Sequence, residues 1–296
     1  MSAVQNAPRT LILAERRKAE RRYQRLVDRV LRMAESQIKA IPNPTPADIT
    51  RVMLHIASTP QFDDMCVATA QQIVTMLAVG QKASWRAAAQ ASSKGAQIYR
   101  ALMRETTNTV LGQQISSIVA QNATLIKTVP QRMAQQFSEL ARKREFEGVR
   151  PEEIAQEMLG KAPHLREFEA KRIARTESAK ASTALVQARS ESLGLDFYTW
   201  HTAGDERVRD AHRKLNGVIC RWSDPPNPEA IAGTGRSYGS YHPGGIFNCR
   251  CVALSVIAIE DIHFPAKVHI SGSIVTIGSL KSFKERFGLG NGKDEE

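Results

Sequence analysis

The chain is short of most of what would tie it to a membrane, an oxidising compartment or a known catalytic loop. It has 4 cysteines in 296 residues, too few for a disulfide framework in a chain of this size, and a reducing compartment favours free thiols or metal thiolates. No run of about 18 apolar residues is present, so a bilayer-spanning helix is excluded. The opening MSAVQNAPRT lacks the basic-then-apolar order of a signal peptide, and the expectation is a protein made and kept in the cytosol unless something other than secretion carries it out. A phosphate-cradling G-x-x-x-x-G-K-[ST] loop, a His-Glu-x-x-His zinc motif and a repeat of fixed period are also missing, which removes the P-loop, metalloprotease and solenoid readings. Acidic residues are scarce relative to basic ones: 30 Asp and Glu face 41 Lys and Arg, for a formal charge of +11 and a pI near 9.7. That balance suits a polyanionic neighbour, nucleic acid or an acidic protein surface, or else a solvated basic surface.

What is present in the first two thirds is helix. From Arg9 to Lys39, apolar residues at Tyr23, Val27, Val30, Leu31, Ala34 and Ile38 keep the three-and-four spacing of one helix face. Residues 1–40 hold ten Lys and Arg against four Asp and Glu, about half of the excess charge, so a basic amphipathic arm over 1–41 is expected, for DNA or an acidic partner. Pro42, Pro44 and Pro46 end it. A helical region over 47–163 follows, with stripes at Phe62, Met65, Thr69, Ile73, Met76 and Leu77, at Trp85, Ala89, Ser92, Ala96, Tyr99 and Met103, and at Leu111, Ile115, Ile118, Asn122, Leu125 and Val129. Cys66 beside the second helix face reads as a core thiol. Pro130 after Thr128 predicts the first turn of a new helix, buried through Met133, Phe137 and Leu140, and Gly160 to Pro163 predicts another break before a helix over His164 to Leu193. That helix carries Arg175-Thr176-Glu177, whose two charges are not at a helix-pairing interval.

Recognisable chemistry is confined to Phe197 to Val256, which holds Cys220, Cys249 and Cys251 and three of the 7 histidines. FYTWHT alternates as a strand. Asp205 reads as a helix N-cap, with Asp205, Arg209 and His212 on one polar face of a short helix and Val208, Ala211 and Leu215 on the other. Asn216-Gly217 is a turn, Val218 to Cys220 a short strand, and Ser223 to Gly245, rich in proline and glycine, an irregular loop. Cys249-Arg-Cys251 leads into Val252 to Ile257, apolar enough for a central strand, with both thiols on one side. Cys249 and Cys251, approached by His212 and His242, make a Cys2His2 Zn2+ site one reading, with Cys220 as an alternative donor. Buried thiols and hydrogen-bonded histidines are the other. A cysteine nucleophile with His212 as base is disfavoured, because Asp205 would lie about two helical turns from His212.

These residues resemble the phage Mu F-like family of minor head (head-morphogenesis) proteins. The resemblance is carried by Arg175-Thr176-Glu177, Trp200, Asp205-x-Arg207-x-Arg209-x-x-His212-x-x-Leu215-x-Gly217, Pro225-Pro226, His242-Pro243 and Asn248-Cys249-Arg250-Cys251. His242-Pro243 is set off from Asn248 by Gly-Gly-Ile-Phe, where the family more often has it close to Cys-Arg-Cys. The resemblance implies an α+β protein: an elongated, mainly helical N-terminal region, then a small α+β module with a short sheet over 164–262 and a tail over 263–296. It implies a non-enzymatic component of a tailed phage, synthesised in the host cytoplasm and held inside the capsid near the portal. The implied partners are the portal protein, scaffold or major capsid protein, and double-stranded DNA through the basic arm, with no membrane. Asp205, Arg209, His212, Cys249 and Cys251 are its signature positions, and Arg175, Glu177, Asp205 and Arg209 are expected as a structural polar cluster. The alternative is a virion-delivered effector of ADP-ribosyltransferase type, which would need an active site that the strand-like Val268 to Leu280 does not supply.

Overall fold

The computed structural model describes residues 3–104 and 109–289. The helical part comprises α1 (Ala3–Lys39), α2 (Pro46–Ala57), α3 (Pro60–Gln90), α4 (Gly95–Arg104), α5 (Thr109–Phe146) and α6 (Pro151–Ser192). The stripe read on α1 is buried in full, Tyr23, Val27, Val30, Leu31, Ala34 and Ile38 all entering the bundle core. The helix lies along α3 and α6, so the expected arm is a wall of the bundle with its arginine face outward. Its first residues, Met1 and Ser2, lie outside the described part.

Local chemistry accounts for the ends. Thr45 caps α2 by accepting from Asp48 N while Asp48 accepts from Thr45 N, a capping box that follows the Pro42 to Pro46 break. Thr59 caps α3, with Pro60 in its first turn. Cys66 is fully buried, and burial pushes its thiol up to about 12. The third stripe is interrupted: α3 ends at Gln90, and the chain turns at Ala91 to Lys94 before α4. Gly95 is pressed so closely onto the Ala89 carbonyl that a Cβ would sit 1.5 Å from its oxygen. Tyr99 therefore turns outward, and Ile98 and Leu102 are the buried side of α4.

Two proline boundaries are not boundaries. Pro130 lies inside α5, and Pro163 lies inside α6, which runs unbroken through Gly160. A proline in a helix interior costs about 3 kcal/mol. Around Pro163 the cost is offset because Ile154 and Met158 before it, and Ala170, Ile173 and Ala174 after it, bury into the same core, and burying an aliphatic side chain contributes about 1.5–3 kcal/mol.

The C-terminal part is a five-stranded sheet in the order β3-β1-β2-β4-β5, built from β1 (Phe197–His201), β2 (Ile219–Arg221), β3 (Val252–Ser255), β4 (Ala266–Ile270) and β5 (Ser273–Ile277). The short helices α7 (Asp210–Lys214) and α8 (Pro228–Ala232) and the terminal α9 (Leu280–Phe287) complete it. Strand β3, expected at the centre, is an edge strand, against which α1 and α6 pack. Tyr198 and Trp200 alternate with Phe197 along β1 and face one core with Cys220 and Ala253. Phe197 joins Ile219, Val268 and Phe283 in a second core on the opposite face. The segment expected as a tail thus supplies β4, which pairs in parallel with β2, and α9, which covers that second face. Residues 290–296 of it lie outside the described part. The loop expected to be irregular holds α8, capped by Asn227, which accepts from Ala230 N.

Candidate metal centre

His212, Cys249 and Cys251 converge. His212 Nδ1 lies 3.6 Å from Cys249 Sγ and 3.5 Å from Cys251 Sγ, and each residue is 2% exposed. His212 is delivered by α7, whose Ala211 and His212 are its buried residues. Cys249 and Cys251 sit just before β3 rather than within it. The alternation in burial still holds: both cysteines are buried, and Arg250 between them points outward to an ion pair with Asp205. Trp200, across β1, stacks edge-on to the His212 ring at 5.6 Å between centroids.

On its far side His212 Nε2 lies 3.0 Å from the Tyr241 hydroxyl, which donates to Glu229 Oε1 and Oε2 at 2.7 and 2.9 Å. Gly244 N donates to Cys249 Sγ at 3.3 Å. Arg16 comes from α1, 4% exposed, and donates from Nη1 to Cys251 O at 2.6 Å and from Nη2 to Thr183 Oγ1 at 3.0 Å. Thr183 in turn donates to Pro243 O. Burial lowers the Arg16 guanidinium to about 10, against the opposing pull of Cys249 and Cys251. The hydrogen bond from Cys251 holds the Cys249 thiol well below its ordinary value, against the opposing effect of burial. The same bond, with burial, raises Cys251. The three donors are close enough together to hold a metal ion.

The other predicted residues fall elsewhere. His242 is not part of the group: its Nδ1 lies 3.0 Å from the Tyr198 hydroxyl, and its ring packs on Trp222 at 5.1 Å. The cause is the strand period, since Tyr198 and Trp200 are two residues apart on one face of β1, about 7 Å. His212 sits over Trp200, and His242 over Tyr198. Burial lowers His242 to about 4. Cys220 pairs across β1 with Tyr198, and burial pushes its thiol up to about 12.

The polar cluster does not form a single face. Asp205 is not the N-cap of α7; it lies in a turn, accepts from Arg207 N at 3.2 Å and pairs with Arg250. Arg209 donates to Phe247 O at 2.9 Å with its guanidinium 4.7 Å over the Phe247 ring. Arg175 lies 3.9 Å from Glu20 of α1, while Glu177 is buried beside Lys180 at 3.6 Å. Thr176 between them, part of the Arg175-Thr176-Glu177 run but not among the expected site residues, accepts from Asn248 N at 3.1 Å and ties α6 to the Cys249 loop.

Comparison with known proteins gives a match to the family model described as phage Mu protein F like protein, over residues 69–254. An uncharacterized protein of Haemophilus influenzae is 32% identical over 159 residues, 53% of this chain and 32% of the relative. The match thus spans about a third of the length of that curated relative. No solved structure matches.

Proposed function

The chain belongs to the phage Mu protein F-like family, whose members are head-morphogenesis proteins, and from that premise we propose that it is a structural minor capsid protein of a tailed phage. It works inside the head near the portal and contacts portal, scaffold or coat protein. The observation that carries this reading is the family match, which reaches from the bundle, at α3, to the end of β3. Among the described residues no helix is long and apolar enough to cross a membrane. The role is one of assembly rather than catalysis, and the buried His/Cys group holds a structural Zn2+ that closes the module.

Exposed Arg17, Arg21, Arg25, Arg29 and Arg32 run at three- and four-residue steps along the outer face of α1. That row is suited to the phosphates of packaged double-stranded DNA or to an acidic surface of the portal. Five phosphate contacts predict that DNA affinity falls roughly 500-fold between 50 and 200 mM salt. Titrating the purified full chain onto duplex DNA at several salt concentrations measures that slope. Salt-insensitive retention, or retention seen only with the portal protein present, assigns the row to a protein contact instead.

A further inference from the structure

The hydrogen bonds around His212 determine where its proton sits. The Tyr241 hydroxyl donates to the two Glu229 oxygens at 2.7 and 2.9 Å, so the phenol proton points at the carboxyl group. The Tyr241 oxygen is then left to accept from His212 Nε2–H at 3.0 Å. This fixes the tautomer and leaves Nδ1 bare, with a single in-plane lone pair. That lone pair faces two sulfurs, at 3.6 and 3.5 Å. It can take one S–H proton, and the second sulfur then has no partner in it. A divalent ion satisfies both. Tetrahedral Zn2+, with Zn–S of about 2.3 Å and Zn–N of about 2.05 Å, requires N···S separations of about 3.6 Å.

The surroundings suit anionic sulfur. Gly244 N–H donates to Cys249, the guanidinium of Arg16 lies behind the pair, and the buried Trp200 Nε1, with no oxygen or nitrogen acceptor, faces Cys251. Among the described residues no fourth His, Cys, Asp or Glu reaches the group.

We propose that His212 Nδ1, Cys249 Sγ and Cys251 Sγ are the protein donors of a tetrahedral Zn2+ site whose fourth ligand is solvent-derived, with Tyr241 and Glu229 as positioning residues for His212. The proposal rests on the structural-zinc reading above and specifies its donor set, which excludes His242 and Cys220. A carboxylate reaching a metal-bound histidine through its second nitrogen is a recurrent outer-shell arrangement, and losing such a partner weakens metal binding about 10- to 100-fold.

Zinc K-edge X-ray absorption on the purified full chain tests it. The expected spectrum has two sulfurs at about 2.3 Å and two N/O scatterers at about 2.05 Å, with the multiple scattering of one imidazole. In competition with a chromophoric chelator, Tyr241→Phe should weaken zinc binding about 10- to 100-fold while the far-ultraviolet circular dichroism is unchanged. His242→Ala should keep about one zinc per chain. Two imidazoles, or three sulfurs, or zinc lost on His242→Ala would overturn the donor set while leaving zinc in place. A folded wild-type chain that takes up no zinc from a metal-buffered solution would overturn the zinc reading itself. If Cys249→Ser fails to fold, stoichiometric zinc release from the wild type by a thiol-specific mercurial still reads the thiolate ligation, and absence of release counts against it.

Discussion

Arg16→Met is expected to lower the unfolding free energy by about 3 kcal/mol, from two hydrogen bonds with a charged donor at about 1.5–3 kcal/mol each less the relief of no longer burying a guanidinium. Arg16 is the point where four segments meet: α1 carries it, Thr183 of α6 and the Cys251 carbonyl accept from it, and Thr183 holds the Pro243 carbonyl. Methionine keeps most of the volume but leaves the Cys251 carbonyl without its Arg16 donor, and Thr183 with only its bond to the Pro243 carbonyl. Arg16→Lys should fall between wild type and Met, because an ammonium cannot reproduce the two-pronged donor geometry. Chemical denaturation at neutral pH reads the loss. A change below about 0.5 kcal/mol for Arg16→Met, the size of an ordinary surface substitution, would mean that α1 is not fastened to the module through this residue.

Gly244→Ala is the second large effect. Gly244 has φ +86°, and a Cβ there would lie 2.9 Å from Ala179 O and 3.1 Å from Thr183 Oγ1. The left-handed backbone costs a non-glycine residue about 1–2 kcal/mol, and the approach to α6 leaves no room without lifting the loop. Lifting it also stretches Gly244 N–H from Cys249 Sγ and Pro243 O from Thr183, for a total of about 3 kcal/mol. Gly239 is the comparison: its φ is +81°, but a Cβ there meets nothing within 4 Å. Gly239→Ala should therefore cost only the backbone part, about 1 kcal/mol. Equal losses at the two positions would show that the close approach to α6 contributes nothing.

Periodicity reached the parts of this fold that depend on near neighbours in sequence. The face of α1, the β1 strand, the Asn216-Gly217 turn and the inward pair Cys249 and Cys251 are set by side-chain direction within a few residues. The grouping of His212, Cys249 and Cys251 was legible because their residue types are rare here. What failed depends on distant packing. Pro130 and Pro163 read as breaks because proline cost is local, whereas the burial that offsets it comes from other helices. His242 read as a ligand because only the register of β1 separates its place over Tyr198 from that of His212 over Trp200. Arg16 carried no signal that distinguishes it from Arg17 or Arg21 in the same basic run, and Tyr241 and Glu229 had none at all. The strands of residues 266–277 looked like a tail because their partner, β2, lies 47 residues upstream of β4.

The proposed place of this chain is the inside of a phage head. It is tested most directly by quantitative mass spectrometry of proheads and finished heads purified from cells producing the phage, with and without protease treatment of the intact particles. Peptides from both the bundle and the sheet module are expected, protected from protease until the head is opened, at a few copies per portal. Heads that lack the chain, or a chain fully digested on intact particles, would contradict it.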